Sequence, residues 1–282
     1  MSPRAGRGPT MAAALYFQCD MSEPALWGRL GGRAVAAYSS RSPFKETVNE
    51  DAAAVIPWDE HSAVLAVADG LGGAARGEEA SRRAIQELAD AIDRADRQTS
   101  QLRTAILDGI ESANGAVMRI GAGAATTLAV VEVTIGGPDG DLARTYHVGD
   151  AGVLVCGGRG KVKLLTTAHS PVGYGVEAGL IDHHEAMHHD ERHLVSNVVG
   201  AADSRIEIGA AAPLAKLDTV LVASDGLFDN LTVAEIVSLV RRGPAATAAQ
   251  RVAQAARERM LGAAIDLPAK ADDLTLLVMR RG

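Results

Sequence analysis

Two short apolar runs constrain this chain most strongly, because each ends in the same three residues. Val64-Leu65-Ala66-Val67-Ala68 leads into Asp69-Gly70-Leu71, and Thr219-Val220-Leu221-Val222-Ala223-Ser224 leads into Asp225-Gly226-Leu227. A continuous apolar run of this length predicts a buried strand. The aspartate then falls where the strand leaves the core, and the glycine lets the backbone turn or approach a ligand closely. Two such ends side by side bring two carboxylates to one site, where their repulsion calls for a proton or a cation between them. Carboxylate and carbonyl oxygens suit hard ions such as magnesium or manganese.

The rest of the composition narrows the partners. Aromatic residues make up 3% of the 282 residues and the net charge is -7. Base-stacking platforms and a phosphate-tracking groove are therefore both lacking, which argues against nucleic acid as a partner. No apolar run approaches the roughly 18–20 residues of a membrane span, so no membrane partner is expected. Cys19 and Cys156 form neither a disulfide framework nor a CxxC site, which points to a reducing, cytoplasmic setting. Residues 1–30 read as a flexible leader, with Pro3, Pro9 and Pro24 and no sustained period. Within it, Arg4 and Arg7 precede the run Met11–Phe17, but that run is short for a signal peptide and Gln18 is a poor cleavage position. Met11 and Met21 are alternative starts.

Residues 31–282 read as one domain. Strands are predicted at 33–39, 52–56 (ended by Pro57), 64–68, 128–135, 161–165, 219–223 and 274–279. Strands at 145–148 and 153–156 flank Gly149-Asp150-Ala151-Gly152, which reads as a hairpin-like turn. Ala84, Ile85, Leu88, Ala91, Ile92 and Ala95 keep helical spacing, and a second helix runs from Leu102 to a stop at Gly121. Thr232 and Glu235 form a capping box, and Gly243-Pro244 breaks that helix and starts another, to about Leu261. Residues 166–200 are polar and His-rich and read as a surface insertion. Strands, two helices, strands, two helices and a strand do not alternate as βαβ units do. The order predicts an α+β fold of antiparallel sheets packed together with helix pairs outside.

Acidic residues stand at strand ends or turns in five places: Glu50-Asp51, Asp69, Asp150, Asp225 and Asp272-Asp273. Singly, each is an ordinary turn or cap residue. Together, in order, they resemble the metal-dependent protein phosphatases of the PPM (type 2C) family, in particular its bacterial branch. The resemblance rests on Asn49-Glu50-Asp51, Val67-Ala68-Asp69-Gly70-Leu71-Gly72-Gly73, Ala125-Thr126-Thr127, His147-Val148-Gly149-Asp150, Ala223-Ser224-Asp225-Gly226-Leu227 and Asp272-Asp273-Leu274-Thr275, and spans about residues 33–280.

The resemblance implies a four-layer α/β/β/α sandwich, two central antiparallel sheets flanked by helix pairs. It implies hydrolysis of phosphoserine and phosphothreonine by a water bridging two Mn2+ or Mg2+ ions, opposing a Ser/Thr kinase, in a monomer. Asp69 and Asp225 would hold the two-metal centre, with the Gly70 carbonyl and Asp272 as further ligands. Glu50 and Asp51 would hold metal-bound waters or a ligand position, and Asp150 a third ion. Residues 166–200 would be the family's flap. The chain departs from the family where an Arg precedes the motif Glu by four residues: here that position is Glu46, with Lys45 beside it. Lys45 could hold the substrate phosphate as a point charge, not as a bidentate fork, and Arg41 is a looser candidate. Ala125 and Ala151-Gly152 also replace family residues, and Leu71 stands where the eukaryotic branch has His, leaving water to protonate the leaving group.

Three other readings compete. The i, i+4 spacings among His183, His184, His188, His189 and His193 suit a transition metal on a helix, but no Cys accompanies them and a solvated flap is preferred. Gly70-Leu71-Gly72-Gly73-Ala74-Ala75 between strand and helix mimics a dinucleotide-binding loop, although a second helix follows where a parallel strand is needed. A pseudophosphatase that only binds partners is the alternative suggested by the missing Arg.

Overall fold

The computed structural model describes residues 12–71, 76–262 and 269–281. Two antiparallel sheets lie face to face. The first runs β1 (Ala14–Phe17), β4 (Asp51–Pro57), β5 (Ser62–Asp69), β6 (Leu128–Gly137), β7 (Gly140–Val148) and β10 (Glu207–Ile208), with β11 (Ala212–Pro213) also on β7. The second runs β2 (Ala25–Leu30), β3 (Arg33–Ser40), β13 (Leu274–Arg281), β12 (Thr219–Ala223), β8 (Gly152–Cys156) and β9 (Val162–Leu165).

Helices α1 (Gly77–Arg94) and α2 (Leu102–Ile120) cover the first sheet. Helices α6 (Val233–Val240) and α7 (Ala245–Met260) cover the second. The result is the four-layer α/β/β/α sandwich that the motif order implied. Short helices α3 (Pro171–Glu177) and α4 (His183–His188) lie in the segment between β9 and β10, and α5 (Asp225–Phe228) follows β12 directly.

The period-2 geometry of a strand sorts its side chains into two cores. In β5, Val64, Ala66 and Ala68 pack towards α1 and α2, while Ala63, Leu65 and Val67 pack against the second sheet. In β12, Val220 and Val222 enter the same inter-sheet core, while Leu221 and Ala223 face α6 and α7. Both faces are covered, which is why these strands read as unbroken apolar runs. With so few aromatics, alanine fills the helix contacts: Ala245, Ala248, Ala249, Ala253 and Ala256 let α7 lie close to the second sheet. The capping box forms as predicted. Glu235 N donates to Thr232 Oγ1 and Thr232 N to Glu235 Oε2.

Two expectations are corrected. The leader is not loose over all of residues 1–30: β1 pairs with β4 and β2 with β3, while residues 1–11 lie outside the described residues. Both are edge strands with a single hydrogen-bonded neighbour, and β2 carries a bulge between Leu26 and Gly28, so neither shows a clean period. The residues 149–152 do not close a hairpin either. β7 and β8 belong to different sheets, and the turn carries the chain from one to the other. The dinucleotide-binding reading also fails, because β5 is antiparallel to both β4 and β6; residues 72–75 of that loop lie outside the described residues.

Candidate active site

The acidic residues meet because the same edge of both sheets ends in them. Asp69 and Asp51 are directly opposite in the β4–β5 register, and both fall on the side of their strands that faces the second sheet. Like charges directly opposite destabilise a strand pair, so this pairing needs a compensating cation or proton. From the second sheet, Asp225 opens α5 after β12, and Asp272-Asp273 precedes β13, the neighbour of β12. Asp150 sits in the crossover between the sheets.

These ends surround a cavity of about 510 Å³. Lys45, Glu50, Asp69, Gly70, Asp150, Asp225 and Asp272 all line it, so seven of the eight residues singled out from the sequence converge. The eighth, Asp51, lies beneath and is 2% exposed. Its Oδ2 accepts from Ser224 Oγ at 2.8 Å, and its Oδ1 is buried with no partner.

Backbone contacts fix the rim. Thr126 Oγ1 and Thr127 N both donate to the Asp69 carbonyl (2.7 and 2.8 Å), which gives Ala125-Thr126-Thr127 a local role in holding that strand end. Gly70 is required by space: a Cβ there would lie 2.3 Å from the Gly77 carbonyl oxygen and 2.7 Å from that of Glu50.

Burial and mutual repulsion set the protonation of the cluster. Burial first, then the Asp225 and Asp51 carboxylates, push Asp69 well above the usual carboxylate range. Burial, then Asp273, does the same to Asp51 against the lowering bond from Ser224. Asp150 is pushed up to about 8 by burial and by Asp225 and Asp229. Asp229 and Asp272 each rise to about 6, from burial and then Asp225. An all-oxygen donor set, crowded enough to hold protons, with an orphaned buried carboxylate oxygen, fits a hard divalent cation.

Two lysines in the site carry more than the sequence suggested. Lys45 Nζ donates to Glu50 Oε2 (2.5 Å) and Asp273 Oδ2 (2.6 Å). Burial works against its charge, but the bonds to Asp273 and Glu50 outweigh it and raise its pKa. Asp273 also accepts from Ser42 N and Glu50 N, so it ties the 42–50 loop to β13. Arg41 pairs instead with Asp20 and does not line the cavity. Sequence reasoning missed Lys270, whose ammonium donates to Asp225 Oδ2 (2.5 Å) and Asp229 Oδ2 (2.8 Å) and lies 3.1 Å from Asp272 Oδ2. The only available signal was its position two residues before Asp272.

Of residues 166–200, His193 and Val195 reach the cavity. The side chains of His183 and His184 lie outside the described residues. Among the described residues, the one group of three or more His/Cys/Asp/Glu residues whose ligand atoms all lie within 4.8 Å of one another is His147, His169 and Glu207, which does not line this cavity. Its chemistry is that of a hydrogen-bonded stack. His169 Nδ1 accepts from Gly149 N, which places the proton on Nε2, facing Glu207. His147 Nε2 faces the Thr167 carbonyl and so carries a proton, leaving only its buried Nδ1 lone pair unpartnered.

Comparison with known proteins agrees with this geometry. A family model described as "Protein phosphatase 2C" matches residues 44–263. A putative protein phosphatase 2C-type of Streptococcus pyogenes is 29% identical over 185 residues, covering 63% of this chain and 72% of that protein. The solved Mycobacterium tuberculosis serine/threonine phosphatase PstP/Ppp superposes with a TM-score of 0.70 at 25% identity, over 88% of this chain and 98% of that one. The catalytic domain of PstP in complex with 2 manganese ions superposes with a TM-score of 0.68 at 24% identity, over 88% of this chain and 97% of that one. With its motifs in family order, its two sheets in the family's arrangement and more than half its length matched, the chain belongs to the protein phosphatase 2C family.

Proposed function

We infer that this protein is a metal-dependent phosphatase that hydrolyses phosphoserine and phosphothreonine in proteins, with Mn2+ or Mg2+ as its cofactor. The observation that carries the reading is the convergence of Asp51, Asp69, Asp225 and Asp272 from four strand ends of two sheets, with one buried oxygen left unpartnered. Asp69, Asp225 and Asp272 would hold the ions, with Gly70 through its carbonyl and Glu50, Asp51 and Asp150 in support. Bound there, such ions would supply charge neutralisation of the phosphate and a more acidic attacking water.

The chain's own residues bind and orient the ester. Lys45, at the cavity wall, supplies a positive point charge to the phosphate oxygens. Water attacks phosphorus, the alcohol oxygen leaves, and a water protonates it, since Leu71 offers no acid. Residues 166–200 act as a flap that meets the substrate polypeptide, with His193 at the cavity edge. We place the protein in the cytoplasm as a monomer opposing a Ser/Thr kinase. No helix among the described residues is long and apolar enough to cross a membrane.

The test is hydrolysis of p-nitrophenyl phosphate and of a phosphothreonine peptide with and without manganese, comparing the wild type with Asp225→Asn. Manganese-dependent turnover that collapses in the variant supports the reading. A folded wild type that binds manganese without turnover would instead be a pseudophosphatase.

A further inference from the structure

Ser39 lies outside every motif that marks the site, yet a chain of buried hydrogen bonds runs through it to Asp51. By strand alternation Ser39 follows Val35 and Ala37, and Thr275 precedes Leu277 and Met279, all of which face the core between the two sheets. Ser39 and Thr275 stand opposite each other in the β3–β13 register. Both are buried, as are Asn49, Asp51 and Ser224. Alanine or valine would extend that core without polar cost, whereas a buried hydroxyl is unfavourable unless it is bonded.

The order of donors is fixed from one end. Asp51 N can only donate, so the Asn49 atom that it meets at 2.9 Å is the carbonyl oxygen. The Asn49 amide nitrogen therefore faces Ser39 and donates to its Oγ at 3.0 Å, and to the Cys19 carbonyl at 2.9 Å. The Ser39 and Thr275 hydroxyls lie 2.7 Å apart. The Thr275 hydroxyl also bonds the Asp51 carboxyl, where it and Ser224 oppose the rise in pKa that burial imposes. A carboxylate only accepts, so the Thr275 proton points to Asp51 and Ser39 donates to Thr275. The ring closes from Asp51 through Asn49, Ser39 and Thr275 back to Asp51, and bonds aligned in this way polarise one another. Ser224 adds a second donor, to Asp51 Oδ2 at 2.8 Å, and itself accepts from Thr275 N at 3.0 Å. Of the side-chain polar atoms in these five residues, only Asp51 Oδ1 is left without a partner.

We propose that Ser39 is a positioning residue for the metal centre: by joining Asn49 to Thr275 it fixes the rotation of the Asp51 carboxylate, so that Oδ1 stays free for a divalent ion or for a water bound to one. Outer hydrogen bonds of this kind orient ligands and tune metal affinity. Asp69, Asp225 and Asp272 keep the roles given to them above, and the proposal rests on that metal-dependent reading.

The test is calorimetric titration of the full protein with Mn2+, comparing the wild type with Ser39→Ala and Ser39→Thr, each first shown by circular dichroism to be folded. Ser39→Ala, which leaves Thr275 without its donor, binds Mn2+ about tenfold more weakly. Ser39→Thr, which keeps the hydroxyl, restores the wild-type affinity. A hydroxyl that only braced the two sheets would lower the melting temperature and leave the Mn2+ affinity of the folded protein unchanged. If Ser39→Ala does not fold, Ser39→Cys, close in size and only a weak donor, takes its place with the same expected loss. Wild-type affinity in the variant without the hydroxyl overturns the proposal. So does a threonine variant as weak as the alanine one, which would assign the loss to packing. A wild type that binds no Mn2+ at all overturns both this proposal and the metal-dependent reading.

Discussion

Replacing Gly70 with alanine tests whether the site is held by tight backbone contact. The added Cβ would lie 2.3 Å from the Gly77 carbonyl oxygen, 2.5 Å from its carbon and 2.7 Å from the Glu50 carbonyl oxygen. That is about 0.7 Å inside the 3.0 Å that real Cβ atoms respect, and the obstacles are backbone rather than flexible side chains. The end of β5 must therefore separate from the start of α1 and from Glu50.

Overpacking of this kind costs about 1–3 kcal/mol. For a domain of this size it lowers the melting temperature by roughly 2–10 °C. Because Asp69 precedes Gly70 and Asp51 follows Glu50, the same movement misplaces two carboxylates by a good part of an ångström, and turnover falls by about 100-fold. The assay is thermal unfolding together with manganese-dependent hydrolysis. Gly115→Ala is the control. Gly115 lies inside α2 with only the end of the Arg119 side chain at 3.4 Å, so alanine there stabilises by about 0.5–1 kcal/mol through helix propensity. A Gly70→Ala protein that melts and turns over like the wild type would refute the close approach of these three segments.

Two further predictions concern charge. Lys45→Met leaves Asp273 its two backbone donors but removes the ammonium from the cavity wall. The KM for a phosphate ester should rise about tenfold with a smaller change in kcat, and unchanged kinetics would exclude Lys45 from phosphate binding. Glu235, opposed by burial but held below its ordinary value of 4.5 by Thr232 and Arg259, stabilises the fold above that pH and loses this contribution as the pH falls through its folded-state pKa. Glu235→Gln retains the capping box but not the charge that Arg259 meets, so its urea midpoint should lie below the wild type at pH 7 and the two should converge below about pH 4.5. Parallel acid limbs would contradict the assignment.

What the sequence determined by itself was whatever depends on neighbours along the chain. The runs at 64–68 and 219–223 read as buried strands because both faces of each are covered, and they are strands β5 and β12. The capping box at Thr232 and Glu235 and the stop at Gly121 are set within one helical turn, so they too were legible. The ordered acidic motifs named the residues that converge.

Tertiary structure alone decided which strand joins which sheet. The turn at 149–152 has the composition of a hairpin, yet β7 and β8 part because each finds its hydrogen-bonding partners in a different sheet. Edge strands β1 and β2 were hidden because single pairing and partial exposure leave no period to read. The pairing of Asp51 with Asp69, the clamp of Asp273 on the Lys45 loop and the grip of Lys270 on three carboxylates join residues 18, 228 and up to 45 positions apart. Such contacts follow from where the two sheets end relative to one another, and no local pattern encodes that.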